Sequence, residues 1–155
     1  MKILLIAGGW SSEREVSLTG ARGMQEALLK RGHAVTFFDL LENFDELLET
    51  ARQHDFALIN LHGSPGEDGL VQAMLEKAGC PYQGSGPSGS FLALNKAAAK
   101  QIFRMAGLPT ADWEFLPVRP AEGWEPRLPW PLFVKTTTGG SSLRLGRATN
   151  RQELD

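Results

Sequence analysis

The side chains best suited to chemistry sit in three short stretches. In the first, GGWSSEREVS at residues 8–17, Ser11, Ser12 and Glu13 come directly after the apolar run KILLIA. In the second, HGSPGED at residues 62–68, His62 comes directly after FALINL, and Glu67 and Asp68 close the stretch. A carboxylate such as Glu13 accepts hydrogen bonds from an ammonium, while an imidazole and helix-end N–H groups can face a carboxylate. If the two loops met, they would suit a small zwitterion. Each stretch also has a plainer reading. Ser12 with Glu15 has the spacing of a helix-capping box. His62 could hydrogen-bond a neighbouring turn, and Glu67-Asp68-Gly69 is a good helix start.

The third stretch, FVKTTTGGSS at residues 133–142, puts Lys135 before a loop holding Thr136, Thr137, Thr138, Ser141 and Ser142. A lysine beside exposed backbone amides can hold phosphate. A flexible loop with no ligand is the alternative. Lys96 and Lys100 lie four apart in NKAAAKQIFRMAG (95–107), the spacing of a solvated helix face. GGWSSE lacks the G-x-G-x-x-G spacing of a dinucleotide fingerprint, and TTTGGSS lacks the ending of a P-loop. No Cys/His cluster has zinc spacing, and no G-x-S-x-G elbow is present. His33 and His54 read as surface residues at strand starts. Cys80 reads as a small buried hydrophobe.

These residues need a frame. KILLIA (2–7), HAVTFFDL (33–40) and FALINLHG (56–63) are short apolar runs bounded by turn residues, as buried strands would be. Between and after them the spacing predicts helices. One runs to Gly32 through Val16, Ala21, Met24, Ala27 and Leu28. A second spans 44–52 and a third 69–79. Strand and helix alternating three times implies a parallel sheet with crossover helices. PYQGSGPSGS (81–90) reads as a loop, and 95–107 as a strong helix ending at a glycine. Residues 117–131 hold five of the nine prolines and read as an irregular connection. PLFVKTTTGGSSLRLG (131–146) reads as strand, loop, strand, and NRQELD (150–155) begins a further helix. A boundary near residue 95 gives domains of 1–94 and 95–155, the second incomplete.

The bulk composition narrows the function classes. The chain has 155 residues, 42% hydrophobic and 22% charged, enough for a sizeable core. A net charge of -2 offers no electrostatic case for nucleic acid or an anionic membrane. A lone cysteine forms no internal disulfide, as in a reducing compartment. No run approaches the roughly 18 apolar residues of a membrane span. The expectation is a soluble cytoplasmic protein.

Together these stretches resemble the D-alanine–D-alanine ligase family of ATP-grasp enzymes. The segments that carry the resemblance are GGWSSEREVSLTGA (8–21), residues 60–100 and FVKTTTGGSS (133–142). The middle one is the most specific, with LHG-x-x-GEDG-x-x-Q, PY-x-GSG and NK-x-x-x-K. The resemblance covers nearly all of this chain but about the first half of such an enzyme. It implies an α/β fold: a parallel-sheet, Rossmann-like pre-ATP-grasp domain followed by the beginning of an ATP-grasp α+β subdomain. It implies ATP-dependent joining of two D-alanines through an acyl phosphate, for peptidoglycan precursors, in bacterial cytoplasm. By the same resemblance, Glu13 holds the ammonium of the first D-alanine and Ser141 lies near it. His62 adjoins the reacting carboxylate. Ser12 and Glu67 support the substrate loops. Lys96, Lys135 and Ser142 face ATP phosphates. Mg2+ is expected with its ligands outside this chain, and a homodimer through the N-terminal domain is expected.

The sequence departs from the family pattern in places. Val-Lys-Thr (134–136) stands where Val-Lys-Pro is usual, and Leu143-Arg144 enlarges the Gly-Ser-Ser loop. Trp10 replaces a smaller residue, and Asn95-Lys96 replaces Asp-Lys. The 155-residue chain alone is expected to be inactive. A D-alanine–D-lactate type ligase, a non-catalytic binding or dimerisation module, and a flavodoxin-like nucleotide binder are the other readings.

Overall fold

A computed structural model describes residues 1–121, 123–140 and 145–154. The chain divides into two compact units, Met1–Leu94 and Asn95–Asp155. Ser141 and Ser142 lie outside the described residues.

The first unit is built on three parallel strands in the order β2-β1-β3. They are β1 (Lys2–Ala7), β2 (Ala34–Asp39) and β3 (Phe56–Ile59). Ile3 of β1 stands opposite Val35 and Phe56. The central strand is buried from Ile3 onward, because its alternate side chains enter two separate cores. Leu4 and Ile6 join Leu40, Leu47, Val71 and Leu75. Leu5 and Ala7 join Ala21, with Leu18 and Val35 packed against them. A continuous apolar run is what a strand covered on both faces requires.

Helix α1 (Arg14–Lys30) follows β1. It ends as its glycine predicts: Gly32 has φ 81, and its N–H and that of His33 bond Leu29 and Leu28 carbonyls. Two sequence expectations fail at this helix. The capping box on Ser12 does not form, because Glu13 occupies the N-cap position and Ser12 is exposed. The Ser11 Oγ instead accepts the Glu13 N–H at 3.1 Å, which braces the turn just before the helix without capping it. The buried positions are Ser17 and Ala21, while Val16 is 62% exposed. The inward face thus keeps Ala21 from the expected set but takes Ser17 in place of Val16.

The segment expected as one helix over 44–52 starts earlier and is broken. It consists of α2 (Leu40–Asn43), a 3-10 turn (Phe44–Glu46) and α3 (Leu47–Ala51). Asp39 starts it, its carboxylate accepting from the Leu41 N–H at 3.1 Å, so no loop separates strand from helix. Strand β3 is shorter than expected, ending at Ile59. Helix α4 (Leu70–Ala78) lies between Gly69 (φ 94) and Gly79 (φ 73). The stretch expected as a loop over 81–90 is partly ordered. Ala57 pairs with Tyr82 in a parallel bridge, and α5 (Pro87–Leu94) begins at a proline. The Pro, Ser and Gly residues in its first half are those that read as a loop, which hid the helix. His54 is half-buried rather than a surface residue, with ring contacts to the Thr50 carbonyl and Thr36 hydroxyl. Cys80 is buried as expected, which pushes its thiol pKa up.

In the second unit α6 (Lys96–Met105) is capped by Asn95, whose side chain accepts from the Ala98 N–H. Among the described residues, 106–131 contain no helix or strand, as the prolines imply. Strands β4 (Leu132–Val134) and β5 (Gly146–Ala148) pair antiparallel. The last segment forms a 3-10 turn (Arg151–Glu153), capped by Asn150. No helix among the described residues is long and apolar enough to cross a membrane.

Candidate functional site

In the first unit the loops that leave β1 and β3 both emerge at the carboxyl ends of adjacent strands, where open α/β sheets bind ligands. Glycine allows them to touch. A Cβ on Gly9 would lie 3.3 Å from Leu61 and 3.4 Å from Pro65. A Cβ on Gly63 would lie 3.4 Å from the Cβ of Ser11 and 3.9 Å from Oε2 of Glu13. The Glu13 carboxylate therefore borders the residue that follows His62. His62 is half-buried and makes no hydrogen bond to any described residue.

Glu67 closes the second loop on itself. Its carboxylate accepts the Gly63 N–H at 2.9 Å, and its own N–H bonds the Gly63 carbonyl at 2.7 Å. The turn is stiffened further by the Ser64 hydroxyl on Asp68 at 2.5 Å and by Gln72, which donates to the Gly66 carbonyl at 2.6 Å. Asp68 also accepts the Leu70 N–H at 3.0 Å, the helix-starting role its sequence predicts.

The first loop is held from the other side. Arg14 grips Asp39 with two parallel bonds of 2.7 and 2.6 Å and reaches the Gly9 carbonyl at 3.4 Å. That bonding holds the Asp39 carboxyl below its ordinary pKa and raises Arg14. The pair lies against Gly8 (φ 78), where a Cβ would strike it. Next to it Trp10, about half exposed, meets Phe44 edge-on with ring centroids 5.3 Å apart.

The second unit brings Lys96 to the loop that follows β4. The Lys96 ammonium donates to the Gly139 carbonyl at 2.7 Å, and the Lys96 N–H donates to the Thr137 carbonyl at 2.9 Å. Gly139 has φ 125, and Lys135 is exposed immediately after β4. Lys96 is thus drawn to the Thr-Gly loop rather than left on a solvated helix face. Lys100 is engaged too, donating to the Thr110 hydroxyl and the Ala111 carbonyl at 2.8 Å each. Among the described residues, no three His, Cys, Asp or Glu side chains gather where they could hold a metal ion.

Sequence reasoning missed Ser17, Asn60 and Arg14. Ser17 offered a signal: a polar residue at the helical spacing of an otherwise apolar inward face.

No protein-family model matches the chain. Curated relatives do. The D-alanine–D-alanine ligase of Desulfovibrio desulfuricans is 77% identical over 155 residues, covering all of this chain and 51% of its own length. That of Nitratidesulfovibrio vulgaris is 68% identical over 154 residues, again 51% of its length. The solved D-alanine–D-alanine ligase of Bacillus anthracis aligns with a TM-score of 0.84 at 37% identity, covering 99% of this chain and 51% of that one. Its complex with ATP aligns at 0.85 and 36% identity. The chain spans about half the length of the relatives it matches. By sequence and by fold nearly the whole chain is similar to about half the length of these D-alanine–D-alanine ligases.

Proposed function

We propose that this chain is the D-alanine-binding half of an ATP-dependent D-alanine–D-alanine ligase and carries part of its phosphate-binding loop. The observation that supports the reading most is the approach of the Glu13 carboxylate to Gly63, beside His62, in a chain 77% identical to a named ligase. In the proposed mechanism Glu13 binds the ammonium of the first D-alanine. His62, with no hydrogen-bond partner among the described residues, turns toward the carboxylate that ATP activates. Ser12 and Glu67 support the two loops. Lys96 and Lys135 face the phosphates, which matches an ammonium already lodged on a loop of small residues with a glycine at positive φ. By the same reading Ser141 helps to position the first D-alanine and Ser142 faces the phosphates. The acyl phosphate formed from the first D-alanine is shielded from water until the amine of the second attacks and phosphate leaves.

Mg2+ would accompany ATP, with its ligands outside this chain. Domains of 1–94 for substrate and 95–155 for the start of the ATP-binding fold belong to the same proposal. So do a homodimer, a bacterial cytoplasmic location and a part in peptidoglycan synthesis. A fusion of residues 1–155 to the remaining half of the Desulfovibrio desulfuricans ligase tests the reading. The fusion should form D-alanyl-D-alanine and release ADP, and Glu13→Gln should abolish dipeptide formation. The 155 residues alone should do neither. A fusion that folds but makes no dipeptide would count against the reading.

A further inference from the structure

The place where β1 and β3 end and their loops part is stitched by one hydroxyl. Ser17, fully buried on α1, accepts the Gly8 N–H on its Oγ at 2.8 Å and donates to the Asn60 carbonyl. Asn60, also buried, returns the contact: its Nδ2 donates to the Ser17 carbonyl at 2.6 Å. Its N–H meanwhile bonds Ile6 at 2.8 Å and extends the parallel ladder by one residue. Gly20 leaves the room, since a Cβ there would lie 3.1 Å from the Asn60 amide. Gly8 opens the loop that leads to Glu13, and Asn60 opens the loop that leads to His62.

We infer that Ser17 and Asn60 are positioning residues that set the spacing between the Glu13 loop and the His62 loop. The physical reason lies in what a ladder cannot do. Where two strands diverge, the backbone groups just past the last paired residues lose their strand partners, yet here they remain buried. A hydroxyl both accepts and donates, so a single Ser17 satisfies one group on each loop and ties both to the same helix turn. An apolar residue would pack equally well and hold neither. The inference rests on the proposed ligase site for its functional meaning, but the clasp itself does not.

The test uses three variants and two readouts. Ser17→Ala removes the clasp, Ser17→Thr keeps the hydroxyl, and Leu75→Ala destabilises the opposite face of the sheet without touching it. In the 155-residue chain, amide exchange at Gly8, Glu13 and Gly63 should speed up by roughly tenfold or more in Ser17→Ala. Ser17→Thr should restore protection at these sites. Leu75→Ala should speed exchange without singling out the two loops. In the fusion ligase described above, Ser17→Ala should raise the KM for D-alanine by roughly tenfold, with the KM for ATP nearly unchanged. Uniform acceleration of exchange in Ser17→Ala, or acceleration at Gly8 without Gly63, would overturn the clasp. An active fusion whose KM for D-alanine ignores Ser17→Ala would overturn its role in positioning. An unsubstituted fusion that makes no dipeptide would defeat the ligase reading instead, and exchange alone would then decide the clasp.

Discussion

The two units of this chain use the same alphabet to different effect. Residues 1–94 bury leucines and isoleucines on both faces of a three-stranded sheet. Of the described residues in 95–154, Ala148 alone is buried, while Ile102, Phe103, Phe133 and Val134 are exposed. Yet the second unit has well-formed local structure: a capped helix, a glycine stop at Gly107 and an antiparallel strand pair. Local signals suffice to shape an element. A core needs a second layer, and within its own described residues the second unit has no sheet wide enough to offer one.

This contrast can be broken by experiment. The largest effect should come from truncating the first core. Leu75→Ala, at a fully buried position, should cost about 2–5 kcal/mol of unfolding free energy in urea titration. The same class of change in the second unit, Ile102→Ala, should stay within about 0.5 kcal/mol. Equal costs would mean that α6 is covered in solution.

Next in size is a backbone test at the start of α4. Gly69 has φ 94, and a Cβ there would strike the Pro87 backbone. Gly69→Ala should therefore cost more than about 1 kcal/mol, read from the same titration. At Gly23, where a Cβ meets nothing within 4 Å inside α1, the change to alanine should stabilise by about 0.5–1 kcal/mol.

A smaller effect belongs to the Arg14–Asp39 pair, which is only slightly solvent-accessible. Its folded carboxyl titrates below the ordinary range, so its stabilisation is fully present above the unfolded value of about 3.9 and fades as pH falls through the folded one. Arg14→Met should lower stability at pH 7 by about 1 kcal/mol and flatten the acid limb of the stability curve. An unchanged acid limb would show that other carboxylates govern it.

Much of the frame was legible in the residues. Strand β1 appears at the expected residues because a doubly covered strand reads as an unbroken apolar run. Gly32 and Asn95 mark helix ends because capping is chemistry between neighbours. The misreadings have separate causes. Val16 looked core-facing because apolar spacing does not reveal which rotation of a helix meets the sheet. The start at Leu40 was hidden because Asp39 serves both as the last residue of a strand and as a cap. Helix α5 was hidden because its first half, PSGS, has the composition of a loop. Lys96 seemed solvated because its partner Gly139 lies 43 residues away.

The sequence by itself settled the alternation of strands and helices and the glycine and asparagine that end or start them. These follow from spacing within a few residues, which local sterics and hydrogen bonding read directly. Tertiary structure alone decided that the Glu13 carboxylate borders Gly63 and that Ser17 meets Asn60 across 43 residues. Contacts of that range exist only once parallel strands have set their register, because pairing β1 with β3 is what carries the two loops to the same edge.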